Sequence, residues 1–208
     1  MAIFTGSEKL HLTVSFIVLT IAFALVFDYP TPSPFVMALS TVGVGFGFIL
    51  HELAHRFTAI KYGYMAEYVA SRTGLFITIA LPLLTGGGIV FALPGAVRIS
   101  HTPFTIRRVG KEMAREQLHI ASAGIVTNLL LAVLFILIAI LSGGNGFIGI
   151  LSSFAAFINV ILAGFNLIPF NPLDGAKIFT LNRKIWAILI GFALGLFFIL
   201  SNLQLLTF

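Results

Sequence analysis

Apolar residues in this chain of 208 residues fall in long unbroken runs, neither alternating nor confined to one stripe. Five runs, residues 10–27, 35–62, 119–141, 150–168 and 185–206, are long enough to cross a bilayer's hydrocarbon core, roughly 30 Å thick. Each is expected to be a helix, because a lone run in lipid cannot satisfy its backbone as an open strand. Pro30, Pro32 and Pro34 part the first two runs, and Gly143-Gly144-Asn145-Gly146 parts the third from the fourth. The first run ends in Asp28-Tyr29-Pro30, with no small-residue cleavage site, so it reads as a retained span and not as a signal peptide.

A sixth stretch, 74–94, could cross once or dip in and return. Pro82 and Gly86-Gly87-Gly88 near its middle are turn signals. Phe76 to Ile79 before them and Ile89 to Phe91 after them are all β-branched or aromatic, which suggests a β-hairpin. Charge decides between the two paths. With a returning segment and a cytoplasmic amino terminus, all twelve Lys and Arg fall on one side, and the loops 28–34 and 142–149 carry none. A single crossing would put those from Arg98 onward on the far side, against the positive-inside rule. The expected fold is an all-α polytopic membrane protein. It has five to six transmembrane helices and a membrane-associated, re-entrant, β-hairpin-like segment.

Composition agrees. Hydrophobic residues make up 59% and charged residues 9%, against about 25% charged in soluble domains. One intramembrane domain over 1–208 is expected, with a core over about 35–184. The net charge of +5 belongs to loops at the membrane surface and does not point to nucleic acid. With no cysteine, disulfide and thiolate chemistry are excluded.

Against that apolar background, His51-Glu52-Leu53-Ala54-His55 stands inside the second run. On a helix the two imidazoles share one face, one above the other, about 6 Å apart along the axis. That suits two ligands of one tetrahedral Zn2+, with Glu52 placed to act on water as general base, the H-E-x-x-H pattern of zinc hydrolases. Chance would produce the pattern in about one chain in several hundred, and burial of ionisable groups in hydrocarbon makes chance a poorer account. A bis-histidine haem would draw its ligands from separate helices and leaves Glu52 without a task.

A catalytic zinc needs a third protein ligand and an open position. Asp28, Glu67, Glu112, Glu116, His11, His101 and His119 fall at loops or helix ends. Asp174 comes after the fourth run, where Pro169 and Pro172 should unwind the helix and let it turn inward. In the returning topology the second and fourth runs point the same way, which brings Asp174 to the depth of His51. The plainer role for Asp174 is N-cap of residues 175–181.

These motifs resemble the site-2 protease family of intramembrane zinc metalloproteases. His51-Glu52-x-x-His55 is similar to its first motif, and Asn166-x-x-Pro169-x-x-Pro172-Leu173-Asp174-Gly175 to its asparagine–proline–aspartate–glycine region. Ala123-Gly124-Ile125-Val126-Thr127-Asn128 resembles a third element, with Ile125 where proline is usual. Ala176 stands where a second glycine is common, and no PDZ module is inserted. The resemblance implies that His51, His55 and Asp174 bind one zinc, that Glu52 is general base and acid, and that Asn166 holds the substrate carbonyl or its oxyanion. It implies a transmembrane protein as substrate. Gly86, Gly87, Gly88 and Asn128 are the expected substrate contacts, the glycine hairpin offering an edge on which an unwound segment could add as a strand. Five predicted spans, where many relatives have six, leave room for a longer natural chain. A compact chain of this kind suits the plasma membrane of a prokaryote, an archaeon being favoured, with the site nearer the cytoplasmic face. Oligomeric state is not legible. Two other classes fit a polar site in a bundle. A metal-ion transporter would need ligands at several depths, and a catalytically silent scaffold would have no use for Glu52.

Overall fold

The structure, a computed structural model, describes residues 4–144, 146–203 and 205. Asn145 and the Leu206 that ends the fifth predicted span lie outside the described residues. Five helical spans are present, as the hydrophobic runs predict. Helix α1 is Gly6–Phe27. Helix α2, Pro34–Val44, passes through a π-helical turn, Gly45–Ile49, into α3, Leu50–Lys61, so that together they form the second span. Helices α5 (Gly110–Leu141), α6 (Gly146–Asn166) and α8 (Arg183–Asn202) are the others. Helix α5 starts nine residues before the predicted run, in polar turns that hydropathy alone does not detect.

Between α3 and α5 the chain forms strand β1 (Met65–Ala70), helix α4 (Arg72–Leu84) and strand β2 (Gly95–Ser100). The strands pair antiparallel from Met65 with Ser100 to Ala70 with Gly95. Ser71 N–H donates to the Pro94 carbonyl at 2.8 Å, so the stretch between them leaves and returns at one level. The returning path predicted from charge is therefore present, but its internal form differs from the expected hairpin. The outgoing limb is helical and capped by the Ser71 hydroxyl, and the return limb has no regular structure before β2. A helix satisfies its own backbone in lipid, whereas a two-stranded hairpin leaves two open edges. The limbs touch at Gly74, where a Cβ would lie 1.9 Å from the Leu93 carbonyl oxygen. Cysteines placed at 72 and 98 of this cysteine-free chain should both react with an impermeant thiol reagent from one face only. Reaction from opposite faces would refute the path.

The bundle's charged end is tied together by buried polar contacts. Glu8 Oε1 accepts from Arg56 Nε at 2.7 Å and from Tyr68 N–H at 3.0 Å. The Tyr68 hydroxyl reaches Ser15 at 2.9 Å. Glu8 and Arg56 are almost wholly buried, and removing one partner of such a pair costs about 3–5 kcal/mol. This clamp fixes the start of α1 to the residue next after His55. On its other side α3 packs against α5, which packs closely on α6 in turn through Ala132, Ala139, Ala155, Ala156 and Ala163, small side chains that let helices approach.

Candidate metal centre

The π-turn lies immediately before the chemistry. Inserting one residue into a helical turn frees a backbone carbonyl and rotates the residues beyond it about the helix axis. Turned to its better amide orientation, Asn128 donates to the Gly47 carbonyl of this turn, which Leu50 N–H also reaches, at 3.1 Å and to the Gly124 carbonyl at 3.2 Å. Below the turn, His51 and His55 point from α3 toward the start of helix α7, Asp174–Leu181. Asp174 is the first residue of α7 and Leu173 its cap, so the carboxylate is not used as an N-cap and faces the imidazoles.

The donor atoms converge. His55 Nε2 lies 3.0 Å from His51 Nε2, and Asp174 Oδ2 lies 2.9 Å from His55 Nε2 and 3.5 Å from His51 Nε2. Tetrahedral zinc with ligands at about 2.0–2.1 Å requires donors about 3.3 Å apart. All three separations fall near that value, so the set fits zinc. The tautomer fits as well. His55 Nδ1–H donates to the Ile120 carbonyl at 2.7 Å, which leaves the Nε2 lone pair free for a metal, the usual outer-shell arrangement of a ligating histidine. Among the described residues this is the one group of His, Cys, Asp or Glu close enough to hold a metal.

Helix α5 closes the site from behind. A Cβ on Gly124 would lie 2.4 Å from His55 Nε2 and 2.7 Å from His51 Nδ1, so only glycine lets α5 come this near. On the open side a cavity of about 360 Å³ reaches the donors. Glu52 and Asn166 line it, together with Gly95, Ala96, Val97 and Ile99 of β2. Glu52 is 8% exposed, and its position in the same cavity as the ligands suits proton transfer. Lys177 lines the cavity too, its Nζ 3.6 Å from Asp174 Oδ1, on the carboxylate oxygen away from the histidines. At the mouth the Tyr64 hydroxyl donates to Glu116 at 2.8 Å. Burial and the neighbouring carboxylate push that phenol's pKa up.

Asn166 ends α6, and its Nδ2 donates to the Leu162 carbonyl at 2.9 Å, leaving a second amide hydrogen for the cavity. Beyond it the chain is unwound to Leu173, as the prolines predict. The Leu167 carbonyl freed there accepts from Trp186 Nε1 at 2.7 Å. This brace from α8 to the bend that carries Asp174 was not expected from sequence, although a lone tryptophan at the charged end of a span is a signal for it. Asn171 is exposed and outside the cavity.

The expected substrate contacts fare differently. Gly86, Gly87 and Gly88 do not line the cavity. Gly87 sits against the Leu25 carbonyl and Tyr29, near the far end of α1 from the Glu8 clamp. The outgoing helix carries the turn away, about 20 Å for thirteen residues. Asn128 is wholly buried and serves the backbone beside His51, a supporting position and not an open contact.

Over 202 residues the chain is 38% identical to a putative zinc metalloprotease of Methanocaldococcus jannaschii, and the alignment covers 95% of this chain and 100% of that relative. No protein-family model and no solved structure matches it.

Proposed function

Because the chain belongs to the same family of zinc metalloproteases as the Methanocaldococcus jannaschii protein, we propose that it is an intramembrane protease of the site-2 type. It hydrolyses peptide bonds within or beside the membrane-spanning segments of other proteins, in regulated intramembrane proteolysis. The observation that carries this reading is placement: three converging zinc donors and a buried Glu52, with His51, Glu52 and His55 lying inside a span. In the returning topology every Lys and Arg falls on one face, which supports a site nearer the cytoplasm, and the reading places the protein in the plasma membrane of a prokaryote.

His51, His55 and Asp174 would hold the metal. Zinc bound there supplies Lewis acidity toward a carbonyl oxygen and makes water acidic near neutral pH. The chain does the rest. Glu52 takes a proton from the attacking water and returns it to the departing amine. Asn166 donates its free amide hydrogen to the oxygen on which charge develops. The substrate must unwind to expose its carbonyl. Strand β2 is paired with β1 on one edge, and several of its residues line the cavity. Its other edge offers the unwound segment backbone partners by strand addition, a role first expected of the glycine hairpin.

The test is cleavage in proteoliposomes of a single-span substrate, with the cut located by mass spectrometry. Chelation should stop cleavage, and zinc should restore it with one ion per chain. A cut confined to a water-exposed tail, or full activity without metal, would refute the reading. The two asparagines separate in the same assay. Asn166→Ala should lower turnover by about 100-fold, the usual cost of one oxyanion donor, with zinc retained. Asn171→Ala should have a small effect. The reverse ranking would assign the role to Asn171.

A further inference from the structure

Residues 101–109, between β2 and α5, form a loop in which Thr102, Thr105 and Arg108 are tied into the protein while the large apolar groups point outward. Thr102 Oγ1 donates to the Gly63 carbonyl at 2.8 Å, and Thr102 N–H donates to Thr105 Oγ1 at 2.8 Å. Arg108 Nη1 donates to the Tyr62 carbonyl at 2.7 Å and pairs with Glu116. The loop is thus fastened to the end of α3. Yet Phe104 is 85% exposed, Val109 75% and Ile106 69%. A turn this well satisfied could bury those side chains against the protein, but it presents them together on the outside. Exposed Arg107, Lys111 and Arg115 stand among them, with no carboxylate partner within 4.0 Å among the described residues.

The length of α5 says what covers this surface. Its 32 residues span about 48 Å, well beyond the roughly 30 Å of hydrocarbon. The excess lies at its polar start, where Lys111, Glu112, Arg115, Glu116 and Gln117 cannot sit in lipid tails. The loop folds back from that start: Arg108 and Thr102 bind the Tyr62 and Gly63 carbonyls, and the Tyr62 hydroxyl meets His119, where the apolar run of α5 begins, so the loop lies at headgroup level. Apolar side chains beside unpaired cations at that level have the character of an interfacial anchor.

We propose that this loop is a binding surface for anionic lipid: Phe104, Ile106 and Val109 enter the acyl boundary while Arg107, Lys111 and Arg115 meet headgroup phosphates. His101, at the start of the loop, and Gln117, on α5 beyond it, line the cavity. The anchor thus fixes the rim of the substrate cavity to the bilayer surface, and lipid charge sets how firmly. This holds whether or not the chain is a protease.

The test uses the full chain in nanodiscs with a nitroxide on Phe104→Cys, comparing collisions with oxygen and with a neutral nickel chelate. In discs containing phosphatidylglycerol the label should be shielded from nickel and open to oxygen. In pure phosphatidylcholine it should shift toward water. Arg107→Gln and Lys111→Gln should each lower the ratio of inserted to exposed label about fivefold in the anionic discs, the effect of one basic residue near such a surface. A label on Thr31→Cys, in the loop without Lys or Arg, should ignore lipid charge. Equal nickel access in both lipids, or an unchanged profile in the double Gln variant, would overturn the proposal.

Discussion

Glu52→Gln is expected to abolish turnover, by about 10³-fold or more, while the protein keeps one zinc per chain. The amide has nearly the shape of the carboxylate, so the packing around a side chain only 8% exposed is preserved. The donors proposed to hold zinc are His51, His55 and Asp174, and none is altered. What is lost is the ability to accept a proton from water and pass it on, a contribution of typically 10²–10⁴-fold. Here one residue serves both transfers, so the upper part of that range applies. The measurement is cleavage of a reconstituted single-span substrate beside elemental analysis of the same preparation. A transporter would move metal in the variant much as before, and a silent scaffold would show no difference. Cleavage within tenfold of the native rate would remove Glu52 from the mechanism.

Much of this was legible in the chain because lipid allows few solutions. Once composition places the protein in a bilayer, long apolar runs must be helices, and the one-sided Lys and Arg choose the path of 74–94. The candidate site was legible for the same reason, since ionisable residues such as His51, Glu52 and His55 have little other cause to lie inside a span. Asp174 could be picked out through Pro169 and Pro172, whose effect on a helix is local.

What was not legible depends on tertiary contact. Phe76, Ile77 and Ile79 favour strand by propensity, yet that limb is helical, because beside α1 it has no strand to pair with. The true strands, Met65–Ala70 and Gly95–Ser100, flank the predicted hairpin. They read poorly because Glu67 and Arg98, paired across the ladder, break the apolar pattern. The Gly86-Gly87-Gly88 turn was rightly read as a turn, but it lies away from the cavity, since sequence does not say how far the limb before it reaches. The π-turn, the Trp186 brace and the supporting place of Asn128 each need a partner from another helix, which no local pattern supplies.

Gly124→Ala should be as damaging as loss of a ligand, although it adds one methyl group and removes nothing. The added Cβ would stand 2.4 Å from His55 Nε2 and 2.7 Å from His51 Cε1 and Nδ1. Neither ring can retreat freely. His55 is held through Nδ1 by the Ile120 carbonyl at 2.7 Å, one turn earlier on the same α5, and Asn128 fixes the backbone of the turn before His51. Relief therefore requires α5 to move outward, which breaks the Ile120 contact and spreads donors now about 3 Å apart. Disturbing a ligand's supporting contact typically costs 10–100-fold in metal affinity. Here both histidines are displaced at once, so about 100-fold or more is expected, with cleavage lost in proportion. Gly164→Ala is the matched control. It lies in α6 with nothing within 4 Å of its added Cβ, so zinc affinity and cleavage should be unchanged. Competition against a chromogenic chelator gives the affinities, and circular dichroism confirms that both variants keep their helices. Native zinc affinity in Gly124→Ala would mean that α5 does not press on the imidazoles, and the close approach of α3 and α5 at the metal would have to be abandoned.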